Sequence, residues 1–136
     1  MNVLIVDDSM AMRSIIKKTL HLSGLQIDTV YQAKHGEEAL SVLEENWVDL
    51  ALVDINMPVM DGETLINRVR ENPDIAELPI VVVSTESSET RIEQLRALDV
   101  EFIHKPFAPE TLRETVFQLT GAENGASDIS SGDFDF

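Results

Sequence analysis

Four short strand-like runs in this chain each stop on residues able to do chemistry, and that pattern constrains the fold more than any other feature. Val3-Leu4-Ile5-Val6 ends on Asp7-Asp8, Leu50-Ala51-Leu52-Val53 on Asp54, and Ile80-Val81-Val82-Val83 on Ser84. Val100-Glu101-Phe102-Ile103-His104 is ended by Lys105-Pro106. Short, continuous apolar runs fit strands covered on both faces, as in a parallel sheet. A further strand is expected over 27–33, where Val30 and Tyr31 favour extended backbone. Helical spacing fills the intervals. Ser9 caps a first helix with Met12, Ile15, Ile16 and Thr19 on one face, and Gly24 closes it. Further helices are expected over 37–45, with Ala39, Leu40 and Leu43 inward, and over 63–71, with Leu65, Ile66 and Val69 inward. Asp61 can cap the second of these and Asn72-Pro73 breaks it. Another is expected over 88–98 with Ile92, Leu95 and Leu98 inward. Pro109 opens the last, with Leu112, Val116 and Leu119 inward.

Five strands alternating with five helices call for parallel pairing through right-handed crossovers. The fold class is therefore α/β, a doubly wound five-stranded parallel sheet with helices on both faces. With 136 residues, one domain and one substantial core are expected. Residues 121–136 differ in composition. They hold three Gly, three Ser and four acids with no Lys or Arg, and read as a flexible acidic tail after a domain at 1–120.

In a parallel sheet the strand ends point one way, so Asp7, Asp8, Asp54, Ser84 and Lys105 can share one crevice. Clustered carboxylates repel and call for a compensating cation. With only oxygen ligands available, that cation is hard, and magnesium fits, with manganese as a substitute. Lys105 offers a compact positive charge to a phosphoryl oxygen, and Ser84 a hydroxyl. Asp54 is the carboxylate placed to attack phosphorus and form an aspartyl phosphate. Each residue alone has a plainer reading, as helix cap, turn hydroxyl or solvated charge; their coincidence at four strand ends does not.

Composition excludes other classes. There is no cysteine, hence no disulfide framework and no thiolate metal site. Nothing at the N-terminus resembles a signal peptide, and no apolar run approaches the ~20 residues a membrane helix needs. A cytoplasmic location is the expectation. A formal net charge of −15 argues against nucleic acid and anionic lipid as partners.

Leu4-Ile5-Val6-Asp7-Asp8, the stretch from Val53 through Asp54-Ile55-Asn56-Met57-Pro58 to Asp61-Gly62, Val82-Val83-Ser84 and Phe102-Ile103-His104-Lys105-Pro106-Phe107 resemble the receiver domain of two-component response regulators. The resemblance covers residues 2–120. It implies a flavodoxin-like (βα)5 fold of strand order 2-1-3-4-5, and Asp54 as phospho-acceptor. It implies that Asp8 binds the metal directly, Asp7 largely through water, and Asn56 through its backbone carbonyl. The Lys105-Pro106 bond is expected to be cis. Ser84 and Phe102 are the implied switch residues. Phe102 stands where many relatives carry Tyr, so it lacks a phenolic hydroxyl. Asp99 stands where Gly is common, and Asp tolerates a left-handed cap better than most residues.

The expected function is a stand-alone, chemotaxis-type regulator, phosphorylated by a sensor histidine kinase or a histidine phosphotransfer domain. It would switch contacts with a downstream protein, be reset in part by a phosphatase, and act as a monomer. It would not be an enzyme beyond its own phosphoryl transfer and dephosphorylation. The output face would comprise the last two helices and the strand between them, with Arg91, Arg96 and Arg113 as its cations. A phosphorelay intermediate needs the same pocket. A phosphohydrolase of the haloacid dehalogenase type would want a second Asp two residues after the first, where Asn56 stands. A flavin module would want a phosphate-cradling loop, where Asp7-Asp8 would repel. Trp47 is expected to anchor a loop at the core edge, and Met10, Met57 and Met60 to rim the pocket, with Met12 packing. His21, His35 and His104 lack metal-ligand spacing and are expected in solvent or packing roles.

Overall fold

The computed structural model describes residues 1–57 and 59–121. Ten elements alternate: β1 (Asn2–Val6), α1 (Met10–Leu22), β2 (Thr29–Ala33), α2 (Gly36–Glu45), β3 (Leu50–Val53), α3 (Gly62–Glu71), β4 (Ile80–Ser84), α4 (Glu89–Arg96), β5 (Glu101–His104) and α5 (Pro109–Thr120). All strands pair in parallel, in the order β2-β1-β3-β4-β5. The expected tail lies, from residue 122 on, outside the described residues.

The strand runs are apolar throughout because each feeds two cores. Val3 and Ile5 point to one face of the sheet, Leu4 and Val6 to the other. Leu50 and Leu52 alternate with Ala51 and Val53 in the same way, as do Val81 and Val83 with Ile80 and Val82. One face is closed by Ile16 and Leu20 of α1 with Leu112 and Val116 of α5. The other is closed by α2, α3 and α4 through Ala39, Leu43, Leu65, Ile66, Val69 and Leu95. Each fully buried Val, Leu or Ile contributes about 1.5–3 kcal/mol. The central strands β3 and β4 are buried along their whole length, so the ends they present are held rigidly.

Several expectations meet corrections. β2 starts at Thr29 rather than 27, because pairing with β1 begins at Asn2↔Thr29. The buried stripe of α1 is Ile16 and Leu20 with Met12 half-buried, a spacing of four. Ile15 lies one helical step off that stripe and is 56% exposed. α4 ends at Arg96, and a tighter turn follows in which Leu98 N–H donates to Leu95 O (2.9 Å) and Asp99 N–H to Arg96 O (2.9 Å). Asp99 then adopts the expected left-handed backbone, φ 62°. Trp47 is no core anchor: it is 74% exposed, and Val48 beside it fills the core instead. Met60 is buried against Gly36 rather than on a pocket rim.

Candidate functional site

The strand order reverses between β1 and β3, and the crevice at such a reversal is where open α/β sheets take ligands. The register pairs Val6 with Val53, so Asp7-Asp8 and Asp54 leave neighbouring strands at the same level. Asp54 N–H donates to Val6 O (2.9 Å), which continues the ladder to Asp54 itself. The result is a cluster in which one carboxylate oxygen each of Asp7, Asp8 and Asp54 lies within 4.8 Å of the others.

The three acids are not equivalent. Asp7 is buried, and both its oxygens accept protein hydrogen bonds: Oδ1 from Ser9 N–H (2.9 Å), Oδ2 from Lys105 Nζ (3.2 Å). Arg13 Nη1 braces its carbonyl at 2.7 Å. Asp8 is exposed, with its carboxylate turned to the crevice mouth. Asp54 lies between these extremes, its side chain 12% exposed and its Oδ1 3.9 Å from Lys105 Nζ. Lys105 therefore spans Asp7 and Asp54 from just past the end of β5, immediately before the cis bond to Pro106.

Ser84, fully buried, closes β4 beside Lys105, whose N–H donates to Ser84 O (2.8 Å). Its Oγ accepts from Glu86 N–H (3.1 Å), which ties it to the following turn. Asn56 is exposed, and its N–H, with that of Ile55, bonds the Asp54 carboxylate. Phe102 is half-buried on β5 next to Val82 and packs against the α2–α3–α4 side of the core.

Three supports carry little sequence signal. Arg13 looks like any helix-face cation, yet it holds Asp7. His35 caps α2, with Nδ1 accepting from Glu38 N–H at 3.2 Å. Gly62 lies against the backbone of Asp54 and Ile55, where a Cβ would sit 2.4 Å from Asp54 O. The Gly could have been found from Asp61-Gly62 opening a helix just after Asp54; the other two are contacts within six residues, but neither Arg nor His at these positions specifies them by type. Of the expected output-face cations, Arg91 is paired with Glu63 (3.2 Å) and Arg113 stacks on Phe117.

Burial pushes the Asp54 carboxyl above its ordinary value; the Lys105 ammonium opposes this, Asp7 adds to it, and the Asn56 and Ile55 N–H groups pull down. A carboxyl raised in the folded state carries no penalty where both states are protonated. The native state is penalised as pH rises through the folded value. Asp54→Asn should therefore raise the urea midpoint of the metal-free protein near pH 7. The gap to the parent should shrink as pH falls toward about 4. A gap that widens on acidification would contradict this balance of burial and charge.

The family profile of the response regulator receiver domain matches residues 3–117. The chain belongs to the response regulator receiver family. Among its relatives is a chemotaxis protein CheY homolog of Campylobacter jejuni, 39% identical over 127 residues, which cover 92% of this chain and 96% of that protein. Chemotaxis protein CheY1 of Helicobacter pylori is 39% identical over 126 residues, 91% of this receiver and 100% of the relative. The solved structure of chemotaxis response regulator CheY4 of Vibrio cholerae superposes with a TM-score of 0.74 at 34% identity, covering 87% of this receiver and 97% of that chain. Receivers generally bind Mg2+ at an acidic pocket, and the oxygen-only donor set of Asp7, Asp8 and Asp54 suits such a hard cation. Among the described residues no helix is long and apolar enough to cross a membrane.

Proposed function

We propose that this receiver is a chemotaxis-type response regulator acting in the cytoplasm. Asp54 takes a phosphoryl group from a phosphohistidine, and the acyl phosphate then switches protein–protein contacts. The observation that carries the reading is the convergence of three carboxylates within 4.8 Å with the Lys105 ammonium 3.9 Å from Asp54. The relatives named for chemotaxis are spanned over nearly their whole length by residues of this chain, which favours the chemotaxis-type reading.

An Asp54 carboxylate oxygen attacks phosphorus, the phosphorus–nitrogen bond of the donor breaks, and the imidazole leaves with the electron pair. Lys105 lies against Asp54 and places a compact charge beside the oxygens of the incoming group. Asp8, Asp54 and the Asn56 carbonyl would hold magnesium, with Asp7 supporting through water because its own oxygens already have protein donors. The ion supplies positive charge that offsets the acids and the phosphoryl oxygens. The Ser84 hydroxyl then donates to the phosphoryl group and draws the following turn inward, and Phe102 turns into the space released. α4, β5 and α5 would read this out to a downstream partner. The only chemistry expected of the protein is on its own Asp54.

The test is intact-mass measurement after incubation with acetyl phosphate and Mg2+. One phosphoryl adduct is expected, absent from Asp54→Ala and lost in excess chelator. Mg2+ at a hundredfold excess over its dissociation constant should also stabilise the parent by about 2.7 kcal/mol, and Asp8→Asn should lose most of that. An adduct of equal yield on Asp54→Ala would refute the assignment.

A further inference from the structure

The far end of the sheet carries a second concave surface. Trp47, Val48 and Asp49 lead into β3, and Asp74 to Pro79 lead into β4. With Leu43 of α2 they line a hollow of about 320 Å3. A neighbouring hollow of about 370 Å3 shares Leu43, Asp74 and Ile75 as walls and runs on to Leu40 and Arg68, so the two form one trough along α2 and α3. The four residues of β3 separate this end from Asp54, about 13 Å at ~3.3 Å per residue.

Three features mark the trough as a place for a ligand. Its wall carries an exposed tryptophan, a side chain with more than 150 Å2 of surface to bury and one enriched where partners bind. The indole is held in place. Its Nε1–H donates to Asp49 Oδ1 (2.8 Å), and Asp49 Oδ2 accepts from Asn2 N–H (2.7 Å). Its pose is therefore set before anything binds, which lowers the ordering cost of association. The rim at the Trp47 end is acidic, with Arg68 only at the far end of the trough: Asp74 and Glu77 are exposed, and among the described residues neither is in a salt bridge.

We infer that this trough binds a basic-apolar peptide segment of a partner protein, with one large apolar side chain seated beside Trp47 and Arg or Lys against Asp74 and Glu77. An arginine laid on the indole face would add a cation–π contact. Charge decides the occupant. The chain's own 122–136 segment has four acids and no base, so the rim repels it. A second copy would bring its own formal charge of −15. Because the trough is at the opposite end of the strands from Asp54, the contact tethers the receiver in either phosphorylation state and leaves the acceptor crevice open.

Trp47 is the chain's one tryptophan, so its emission reports the trough directly. A synthetic amphipathic peptide of Leu and Arg should shift that emission to shorter wavelength and saturate, with or without beryllofluoride at Asp54. The same peptide with Glu for Arg should bind at least tenfold more weakly. Charge reversal at two exposed sites (Asp74→Lys with Glu77→Lys) should weaken the Leu/Arg peptide at least tenfold while acetyl phosphate labelling is unchanged. Equal binding of both peptides, or of the charge-reversed variant, would overturn the inference. So would backbone amide shifts that fall on α1 or α5 instead of 43–49 and 74–79. Concentration-dependent sedimentation abolished by Trp47→Ala would overturn it in favour of a second copy.

Discussion

Gly62→Ala should destabilise the receiver by about 2–3 kcal/mol and slow its phosphorylation by at least tenfold. Replacing a helical glycine by alanine ordinarily stabilises a protein by about 0.4–1 kcal/mol, through lost freedom of the unfolded chain. Here the sign reverses. A Cβ on Gly62 would lie 2.4 Å from Asp54 O and 2.8 Å from Ile55 Cα, and both obstacles are backbone. Overpacking of that kind costs about 1–3 kcal/mol. Relief must also move the strand end that presents the Asp54 carboxylate. Gly62 N–H donates to Ile55 O (2.9 Å), so α3 and the Asp54 loop shift together. Displacing a reacting group by about 1 Å can lower a rate a hundredfold. Gly36→Ala should disturb the same loop from its other side: its Cβ would meet Met60 Sδ at 2.6 Å, Cγ at 2.7 Å and Cβ at 2.9 Å, and moving the buried Met60 Cβ must move the backbone between Asp54 and Gly62. Urea midpoints and the time course of acetyl phosphate labelling measure both effects. Equal labelling rates for Gly62→Ala and the parent would show that the close approach does not position Asp54.

The second large effect is expected at Arg70, well away from the chemistry. Its guanidinium makes four hydrogen bonds to main-chain carbonyls: Nε to Leu98 O (2.9 Å), Nη1 to Ala76 O (3.0 Å) and Leu78 O (2.7 Å), and Nη2 to Asp99 O (2.9 Å). One side chain from the end of α3 thus ties the turn into β4 to the turn into β5. It also holds Asp99 in its left-handed conformation. Truncation leaves part-buried carbonyls without a donor, at about 1–3 kcal/mol for each that water cannot reach. Arg70→Ala should therefore lose about 3 kcal/mol, which lowers the urea midpoint by about 1–2 M. Arg70→Lys should recover less than half of that, because an ammonium has no planar fork to reach both turns. A loss below about 0.5 kcal/mol in Arg70→Ala would mean that the turns are held by their own backbone bonds.

Most of the architecture was legible in the chain itself because its determinants are local. Apolar runs such as Leu50 to Val53 need cover on both faces, so they dictated a parallel sheet with helices on either side. The alternation of strand and helix then placed Asp7, Asp8, Asp54, Ser84 and Lys105 at one edge, since parallel strands end together. Caps were legible too: Ser9 accepts from Met12 N–H and Asp61 from Thr64 N–H, as side chains of that kind do at helix starts. What the sequence could not decide was which side chain meets which across elements distant in the chain. Asp7 and Asp8 are adjacent and chemically identical, yet only the fold buries one under Ser9 N–H and Lys105 and leaves the other at the crevice mouth. Trp47 and Met60 also leave their expected places, the first for solvent and the second for the core. An indole whose N–H finds Asp49 is stable in solvent, and a thioether that meets Gly36 finds room in the core. Periodicity reports which face of an element is apolar. Only tertiary packing settles what that face, or the residue beside it, comes to rest against.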